Sequence, residues 1–494
     1  MNTIDPFSLA PVLQRLRPHL TAAGQPVYLV GGTVRDAVLG RAIHDIDLVV
    51  AADAVPLTFR LADALGLPAY ILDAERDVGR IIVSEDSLTI DIARFRGPSL
   101  EEDLYGRDFT INAMAIPLAG ESAGVIIDRH NGLDDLQAGR LNIIHPRSIA
   151  EDPVRALRAA RFAASFGFTL TDGTVTAVMD AGPLLPESAS PERVRDEVTR
   201  LLTCGAPHQA VQTLHKLNLL AVTLPDIAAL DRVSQSPPHH EDVLAHTISV
   251  LRYQSAVERI VDGNAGASSW EAAVATLLEP YRVGLRGHLD SVVDGGYSGR
   301  AMFMWGGLLH DVGKAPTQST DPDGRIRFFQ HDEVGAEMAG RILTALSFSN
   351  EAVRRIRTIV GGHMRPLYLA TEKRIPSRRT TYRYFRALHE AGLDVGLLTL
   401  ADHLATHNGT GDDSGWEALL LVVDSLFETY FTRYEETIAP TRLLDGREIM
   451  SELGIPPGHE IGRLLRLLEE AQASGDLSTR EEAIAFIRQE TIRP

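Results

Sequence analysis

One stretch, Tyr28 to Val50, YLVGGTVRDAVLGRAIHDIDLVV, limits what this chain can fold into more than anything else in it. Val27 to Val30 are β-branched, aliphatic or aromatic and predict a strand. The strand runs into Gly31-Gly32, where missing side chains let backbone N–H groups come close to a phosphate. Thr33 is placed to cap a short helix through Leu39, with Arg35 and Asp36 in its first turn and Gly40 closing it. A second strand follows. In it Asp45 and Asp47 stand two apart, so both carboxylates leave the same face. Neighbouring carboxylates repel unless a cation lies between them, and hard oxygen ligands suit Mg²⁺. Alone, a Gly-Gly is a turn and an Asp-x-Asp is solvated surface. Together, in one short and largely apolar segment, they read as a metal site beside a phosphate cradle.

The combination resembles the signature of class II tRNA nucleotidyltransferases and bacterial poly(A) polymerases, members of the polymerase β superfamily, in which Gly-Gly-x-x-Arg-Asp precedes Asp-x-Asp. The resemblance implies template-independent transfer of nucleotides to an RNA 3′ end. It makes Asp45 and Asp47 catalytic Mg²⁺ ligands and puts Gly31, Gly32 and Arg35 at the nucleotide. Asp91, on a strand expected over Leu88 to Ile92, is either a third acidic residue near the metals or a solvated strand residue. Asp103 to Ile116, DLYGRDFTINAMAI, resembles the family's Arg-Arg-Asp-Phe-Thr-Ile-Asn-Ala motif, with Gly106 in place of the first Arg. Arg107 is then expected at the triphosphate, Asp108 at a ribose 2′-OH, and Asn112 in the same nucleotide site.

Glu151-Asp152-Pro153-Val154-Arg155 opens a helix, with Pro153 expected at its first position and Asp152 at the cap. Glu151 and Arg155 have the spacing of an ordinary helical ion pair. By the resemblance, Glu-Asp-x-x-Arg is an amino-acid template for the incoming base, and Arg158 belongs to the nucleotide site as well. Cytosine and adenine offer an amine donor beside a ring-nitrogen acceptor, which the carboxylate of Asp152 and the guanidinium of Arg155 can match. Uracil and guanine offer a carbonyl beside an N–H, which the same pair rejects.

A chain of 494 residues with 44% hydrophobic content has room for several cores. The expected fold is α+β: a polymerase-β-like nucleotidyltransferase α/β head over residues 1–140, a helical neck carrying the template motif over 141–235, an all-α HD domain over 236–435 and a helical tail over 436–494. Gln235-Ser236-Pro237-Pro238 reads as a linker. The HD reading comes from resemblance to metal-dependent phosphohydrolases: His246, then His310-Asp311 within HDVGK, then His331, His363 and Asp402. Neutral imidazole suits a divalent transition metal, and a carboxylate can bridge to a second ion that activates water. The Gly-rich interruption from about Val261 to Arg300 has no assigned role.

The net charge of −18 would repel a polyanion if spread evenly, so RNA contact calls for local basic patches. The densest basic run holds Arg354, Arg355, Arg357, Lys373, Arg374, Arg378, Arg379 and Arg383, with Tyr382, Tyr384 and Phe385 interleaved. Cations with aromatics suit RNA, which makes Arg374, Arg378, Arg379 and Arg383 its candidate contacts; a solvated helix face is the other reading. The single cysteine, Cys204, excludes an intramolecular disulfide, fits a reducing compartment and reads as a core residue. With no basic-then-apolar N-terminal segment and no apolar run of about 20 residues, no membrane is implied and a cytoplasmic location is expected.

The expected function is addition of CMP and AMP, from CTP and ATP, to the 3′ end of tRNA. CC-only or A-only addition and poly(A) synthesis are alternatives within the transferases, and a chain that is chiefly an HD phosphohydrolase is the alternative outside them. The Gly-Arg-Arg-Phe-like segment of bacterial poly(A) polymerases is absent after the Asp-x-Asp strand. Only Ile92 to Gly106 separates Asp91 from Arg107, whereas the resemblance implies a longer flexible loop there in enzymes that add all of CCA.

Overall fold

The structure, a computed structural model, describes residues 3–84, 88–293, 296–410 and 414–492. It divides into two compact units, Met1–Ser190 with Lys216–Val222, and Pro191–His215 with Thr223–Pro494.

The first unit is built on a seven-stranded sheet. Its strands are β1 (Val27–Val30), β2 (Asp45–Val50), β3 (Ala69–Asp73), β4 (Val78–Val83), β5 (Leu88–Arg94), β6 (Met114–Pro117) and β7 (Ile127–Asp128), in the order β3-β4-β5-β2-β1-β6-β7. Only the β2–β5 pair is parallel. Alternation along β2 decides what each face does. Ile46 and Leu48 are buried on one side, on the order of 1.5–3 kcal/mol of hydrophobic stabilisation each. That side belongs to the core capped by helices α1 (Pro11–Thr21) and α3 (Ala54–Leu65), whose Leu13, Leu16, Leu20, Leu57 and Leu61 recur at helical spacing and are all buried. On the other side Val49 is buried in a small cluster with Val30, Leu104, Ala113 and Ala115, while Asp47 is half-buried and Asp45 exposed. The carboxylates therefore stand where that face opens.

Between β1 and β2 lies α2 (Gly32–Val38); α4 (Leu100–Tyr105) follows β5, and α5 (Gly132–Gln137), α6 (Ser148–Glu151) and α7 (Val154–Phe166) follow β7. Two expected caps are corrected. Gly31, at φ +66°, takes the position before α2, and Thr33 instead ties the helix to β2: its hydroxyl donates to the Asp45 carbonyl (3.2 Å) and accepts from the Asp47 N–H (2.8 Å). Likewise α7 begins one residue later than expected, with Pro153 in the cap position, because Asp152 already serves as the non-helical C-cap of α6, at φ −148° and ψ 89°.

The second unit is helical. Helices Val243–Val261, Gly299–Leu309, His331–Ala345, Asn350–Gly362 and Ala391–Thr406 pack together, and the last is buried along its whole length, as a helix at the centre of a bundle must be. The Gly-rich interruption is ordered as helices Ser269–Leu278 and Arg282–Asp290, though Asp294 and Gly295 lie outside the described residues. It delivers His288 to the buried pair Arg355–Asp394 (His288 Nε2–Asp394 Oδ1 3.0 Å). Helices Gly446–Leu453, His459–Ser474 and Arg480–Ile492 form the C-terminal part around Leu444, Ile449, Leu464, Leu468, Ala483 and Ile487.

The four candidate RNA contacts of the basic run are exposed, and each also has a partner within the fold. Arg378 donates to the Ala473 carbonyl (3.1 Å), Arg379 pairs with Asp476 (2.6 Å), Arg383 with Glu470 (3.0 Å) and Arg374 with Glu372 (2.8 Å). Arg355 is buried against Asp394, and Tyr382, Tyr384 and Phe385 are core residues. Three of the four candidate contacts thus fasten the C-terminal helix His459–Ser474, whose acidic face is invisible from the basic segment alone. Cys204 is partly exposed, not a core residue. Among the described residues, no helix is long and apolar enough to cross a membrane.

Candidate active site and metal centre

In the first unit the site grows from the β1–α2 turn. A Cβ on Gly31 would lie 2.7 Å from Arg107 Nη1 and 3.4 Å from Asp47 Oδ2, and its φ of +66° is one that side chains disfavour. Gly31 therefore lets a cation and a carboxylate close over bare backbone. Asp45 and Asp47 share the strand face, and parallel register sets Asp91 beside Asp47 and Thr89 beside Asp45. Asp45 accepts a hydrogen bond from the Thr89 hydroxyl (2.7 Å). Asp91 is half-buried and paired: Arg80 grips it through Nε and Nη2 at 2.6 and 2.7 Å. Burial raises the Asp47 carboxyl above the ordinary value; Arg107 opposes this, and Asp91 and Asp45 add to it. A divalent cation between Asp45 and Asp47 would relieve that crowding, so the residues present fit one.

Arg107 is aimed by Asp103, a buried carboxylate one helical turn earlier that accepts from its Nε and Nη2 (3.1 and 2.9 Å). Behind it runs a closed network. Asp108 accepts from Arg158 Nε (2.7 Å), Asn112 Nδ2 (2.9 Å) and the Phe109 N–H (2.8 Å). Burial pushes its carboxyl up, but Arg158 and these donors outweigh that and hold it at about 2. Asn112 in turn accepts from Arg35 Nη1 (2.8 Å), and Arg35 also pairs with Asp36 and lies against the Phe162 and Phe166 rings. Arg35, Asn112, Asp108 and Arg158 are thus brought together as the frame joining α2 to α7.

Arg155 does not pair with Glu151, which faces His145 at 3.7 Å. It reaches back to the motif segment, donating from Nη2 to the Gly106 carbonyl (2.7 Å) and from Nη1 to the carbonyls of Ser148 (2.9 Å) and Arg107 (3.3 Å). Its Nε lies 3.9 Å from Asp152, so the two expected template residues do stand side by side. Asp103, Arg96 and Ser148 escaped the sequence reading. Only the one-turn spacing of Asp103 and Arg107 could have signalled the first of them.

The second unit gathers all six HD candidates. His246 Nε2 lies 3.0 Å from Asp402 Oδ1 and 3.7 Å from Asp311 Oδ2; His310 Nε2 lies 3.2 Å from Asp311 Oδ2; His331 and His363 lie 3.5 and 3.8 Å from Asp311 Oδ1. Three rings are oriented the same way. Nδ1 of His310, His331 and His363 sits 2.7, 2.9 and 2.6 Å from the carbonyls of Gly307, Phe328 and Val360. A carbonyl only accepts, so each Nδ1 donates and each Nε2 turns to the centre, the arrangement a metal requires. Burial, with His310 and His331 beside it, lowers His363 to about 4, so that ring is neutral at neutral pH. Against burial, His310 and Lys314 hold Asp311 well below the usual carboxylate range. Two sets of potential ligands, His246–His310–Asp311 and Asp311–His331–His363, share Asp311. His310 Nε2 has no hydrogen-bond partner among the described residues, a cost that a bound cation would remove. These donors fit one or two transition-metal ions.

A cavity of about 450 Å³ opens over this centre, lined by Lys314, Arg325, Arg327, Phe328 and Tyr368 and by Pro237, Pro238 and His239. The expected linker is therefore the lip of the cavity: Gln235 accepts from Lys314 Nζ (2.7 Å) and Ser236 from the Ile326 N–H (2.8 Å).

Residues 27–142 match the family described as Poly A polymerase head domain, residues 167–230 that described as Probable RNA and SrmB- binding site of polymerase A, and residues 299–406 the HD domain. The chain is 32% identical to the A-adding tRNA nucleotidyltransferase of Deinococcus radiodurans over 96% of its own length and 98% of the relative's. It is also 32% identical to the CC-adding tRNA nucleotidyltransferase of Thermus thermophilus, over 93% and 92%. A solved structure titled the complex structure of CCA-adding enzyme with ATP shares the fold at a TM-score of 0.61 and 20% identity, covering 99% of this chain and all of that one. With its head motifs in place and this identity running along nearly the whole of both curated relatives, the chain belongs to the tRNA nucleotidyltransferase family.

Proposed function

We propose that this nucleotidyltransferase adds CMP and AMP, from CTP and ATP, to the 3′ end of tRNA. The observation that carries the reading is the open pair Asp45–Asp47 on one strand face, beside bare backbone at Gly31 and the Arg107 guanidinium. The terminal 3′-hydroxyl oxygen of the RNA attacks the α-phosphorus and gives up its proton to water, the bond from that phosphorus to the oxygen bridging to the β-phosphate breaks, and pyrophosphate leaves with its charge. Asp45 and Asp47 would hold Mg²⁺, which when bound neutralises charge on the attacking and leaving oxygens. Gly31, Gly32 and Arg107 receive the triphosphate, and Asp103 keeps Arg107 turned to it. Asp108 meets the ribose 2′-OH, and with Asn112, Arg35 and Arg158, to which it is joined, it belongs to the nucleotide site and holds Arg107 and Arg155 in register. Asp152 and Arg155 read the base edge.

The boundaries at 140, 235 and 435 divide the work among head, neck, HD domain and tail in this proposal. A cytoplasmic location accords with a tRNA substrate and a single cysteine. Incubating tRNA that lacks its 3′ CCA with CTP, with ATP or with both, and sequencing the product ends, tests the reading. CC from CTP alone and CCA from both is the expected result; no incorporation overturns it.

Partial addition is the second reading, favoured by the short link from Ile92 to Gly106, part of which is taken up by α4. Named relatives include both an A-adding and a CC-adding enzyme. AMP added to a tRNA already ending in CC rejects CC-only addition, and CMP added to one lacking CCA rejects A-only addition. For the second unit we propose a transition-metal phosphohydrolase, with His246, His310, Asp311, His331, His363 and Asp402 as ligands. Metal content of the purified protein, and hydrolysis of phosphoesters by the Asp47→Ala variant, test that.

A further inference from the structure

The link between β5 and α4 carries a cation that no motif accounts for. Its backbone N–H donates to Asp103 Oδ1 (3.1 Å), while Asp103 Oδ2 takes Arg107, so a single buried carboxylate sets the positions of Arg96 and Arg107 together. The Arg96 side chain then runs across Gly106. Its Nη1 donates to the Gly106 carbonyl (3.2 Å), the oxygen that also receives Arg155, and a Cβ built on Gly106 would touch Arg96 Cδ at 3.9 Å. A side chain at 106 and the side chain of Arg96 would therefore start into the same space.

Charge pairing singles Arg96 out. Asp103, Asp108 and Asp152 lie beside Arg107, Arg158 and Arg155. Arg96 has no carboxylate partner among the described residues; it is exposed, with Nε and Nη2 making no hydrogen bond there. An unmatched guanidinium laid on Gly106, the residue before Arg107, is suited to bind an oxyanion. We propose that Arg96 contacts the triphosphate of the incoming nucleotide, supplying from the link the cation that the chain lacks at position 106. This rests on the nucleotidyltransferase reading of the head.

Binding of CTP, ATP and CMP, and kinetics of addition to a tRNA acceptor, should be compared for the wild type, Arg96→Ala, Arg96→Lys and the double variant Arg96→Ala/Gly106→Arg. Losing one charge-assisted contact should raise Kd and KM for CTP and ATP about ten- to a hundredfold. CMP binding, kcat and the melting temperature should change little, and Arg96→Lys should lie between wild type and Ala. Gly106 has φ −75°, and its Cβ would meet only ordinary contacts, so an arginine fits there. The double variant should regain most of the lost triphosphate affinity. Unchanged KM, equal losses for CTP and CMP, a lowered melting temperature with KM intact, or a double variant no better than Arg96→Ala would each overturn the proposal. A wild type that adds no nucleotide would instead defeat the reading of the head.

Discussion

The two candidate metal sites of this chain solve the same electrostatic problem in opposite ways. Asp45 and Asp47 sit at the opening of a sheet face, one exposed and the other half-buried, where burial raises the Asp47 carboxyl, Arg107 opposes this in part, and Asp91 and Asp45 add to it. The HD centre is closed: His246, His310, Asp311 and His363 are each at most 1% exposed, and imidazoles face carboxylates at 3.0–3.8 Å. An open acidic pair keeps its charge because water and an arriving cation can compensate it. A buried one must bring its compensation with the fold. The lesson is that the first site is tuned to receive charge with its substrate and the second to retain it.

The largest expected effect tests the open site. Asp47→Ala should lower nucleotide transfer roughly 10³-fold or more, the scale of losing preorganised charge stabilisation, while thermal unfolding is unchanged or slightly raised by relief of repulsion. Near-normal incorporation of labelled nucleotide would remove the basis of the comparison. Next, Asp311→Ala in chelator-treated protein should cost about 3–5 kcal/mol of stability, because several buried groups lose their partner at once. Denaturant unfolding measures this, and a variant as stable as wild type would mean that the closed site is not self-compensated. Nucleotide addition measured below the unfolding transition should survive.

Asp108 sharpens the contrast within the head, since it is buried behind the open pair. Its folded pKa of about 2 lies below the ordinary 3.8, so its contribution is present above the ordinary value and disappears as pH falls through the folded one. About 2 kcal/mol should be lost between roughly pH 4 and 2, and Asp108→Asn should abolish that part of the acid dependence. Equal slopes for the two proteins would refute the assignment. The smallest effect belongs to the exposed pair Arg383–Glu470: Arg383→Ala should cost no more than about 1 kcal/mol and leave tRNA affinity unchanged. A large drop in tRNA binding would make Arg383 an RNA contact as well as a partner of Glu470.

What could be read from the sequence was what repeats locally or travels in a motif. Asp45 and Asp47 share a face because strand side chains alternate, and Gly31 was marked by its place after a strand. The HD set was legible because its spacing resembles a family, even though the matched HD region starts at residue 299 and so leaves out His246. Partners chosen by long-range register left no local trace. Arg80 meets Asp91 only through the pairing of β4 with β5, Arg355 meets Asp394 across two helices, and the carboxylates opposite Arg379 and Arg383 lie about 90 positions away. Charge density along the chain suggested an RNA surface, and it could not show that folding also pairs these exposed arginines with the C-terminal helix.

The grip on Arg155 has a consequence for how such a sequence can change. Its guanidinium is aimed by the carbonyl oxygens of residues 106, 107 and 148, and every amino acid carries one. Replacement at position 106 leaves those oxygens in place provided the backbone keeps its course. If Arg155 reads the base as proposed, the reader is insulated from side-chain drift at position 106: exchange of glycine for arginine there would alter how strongly a nucleotide is held without altering which base is read.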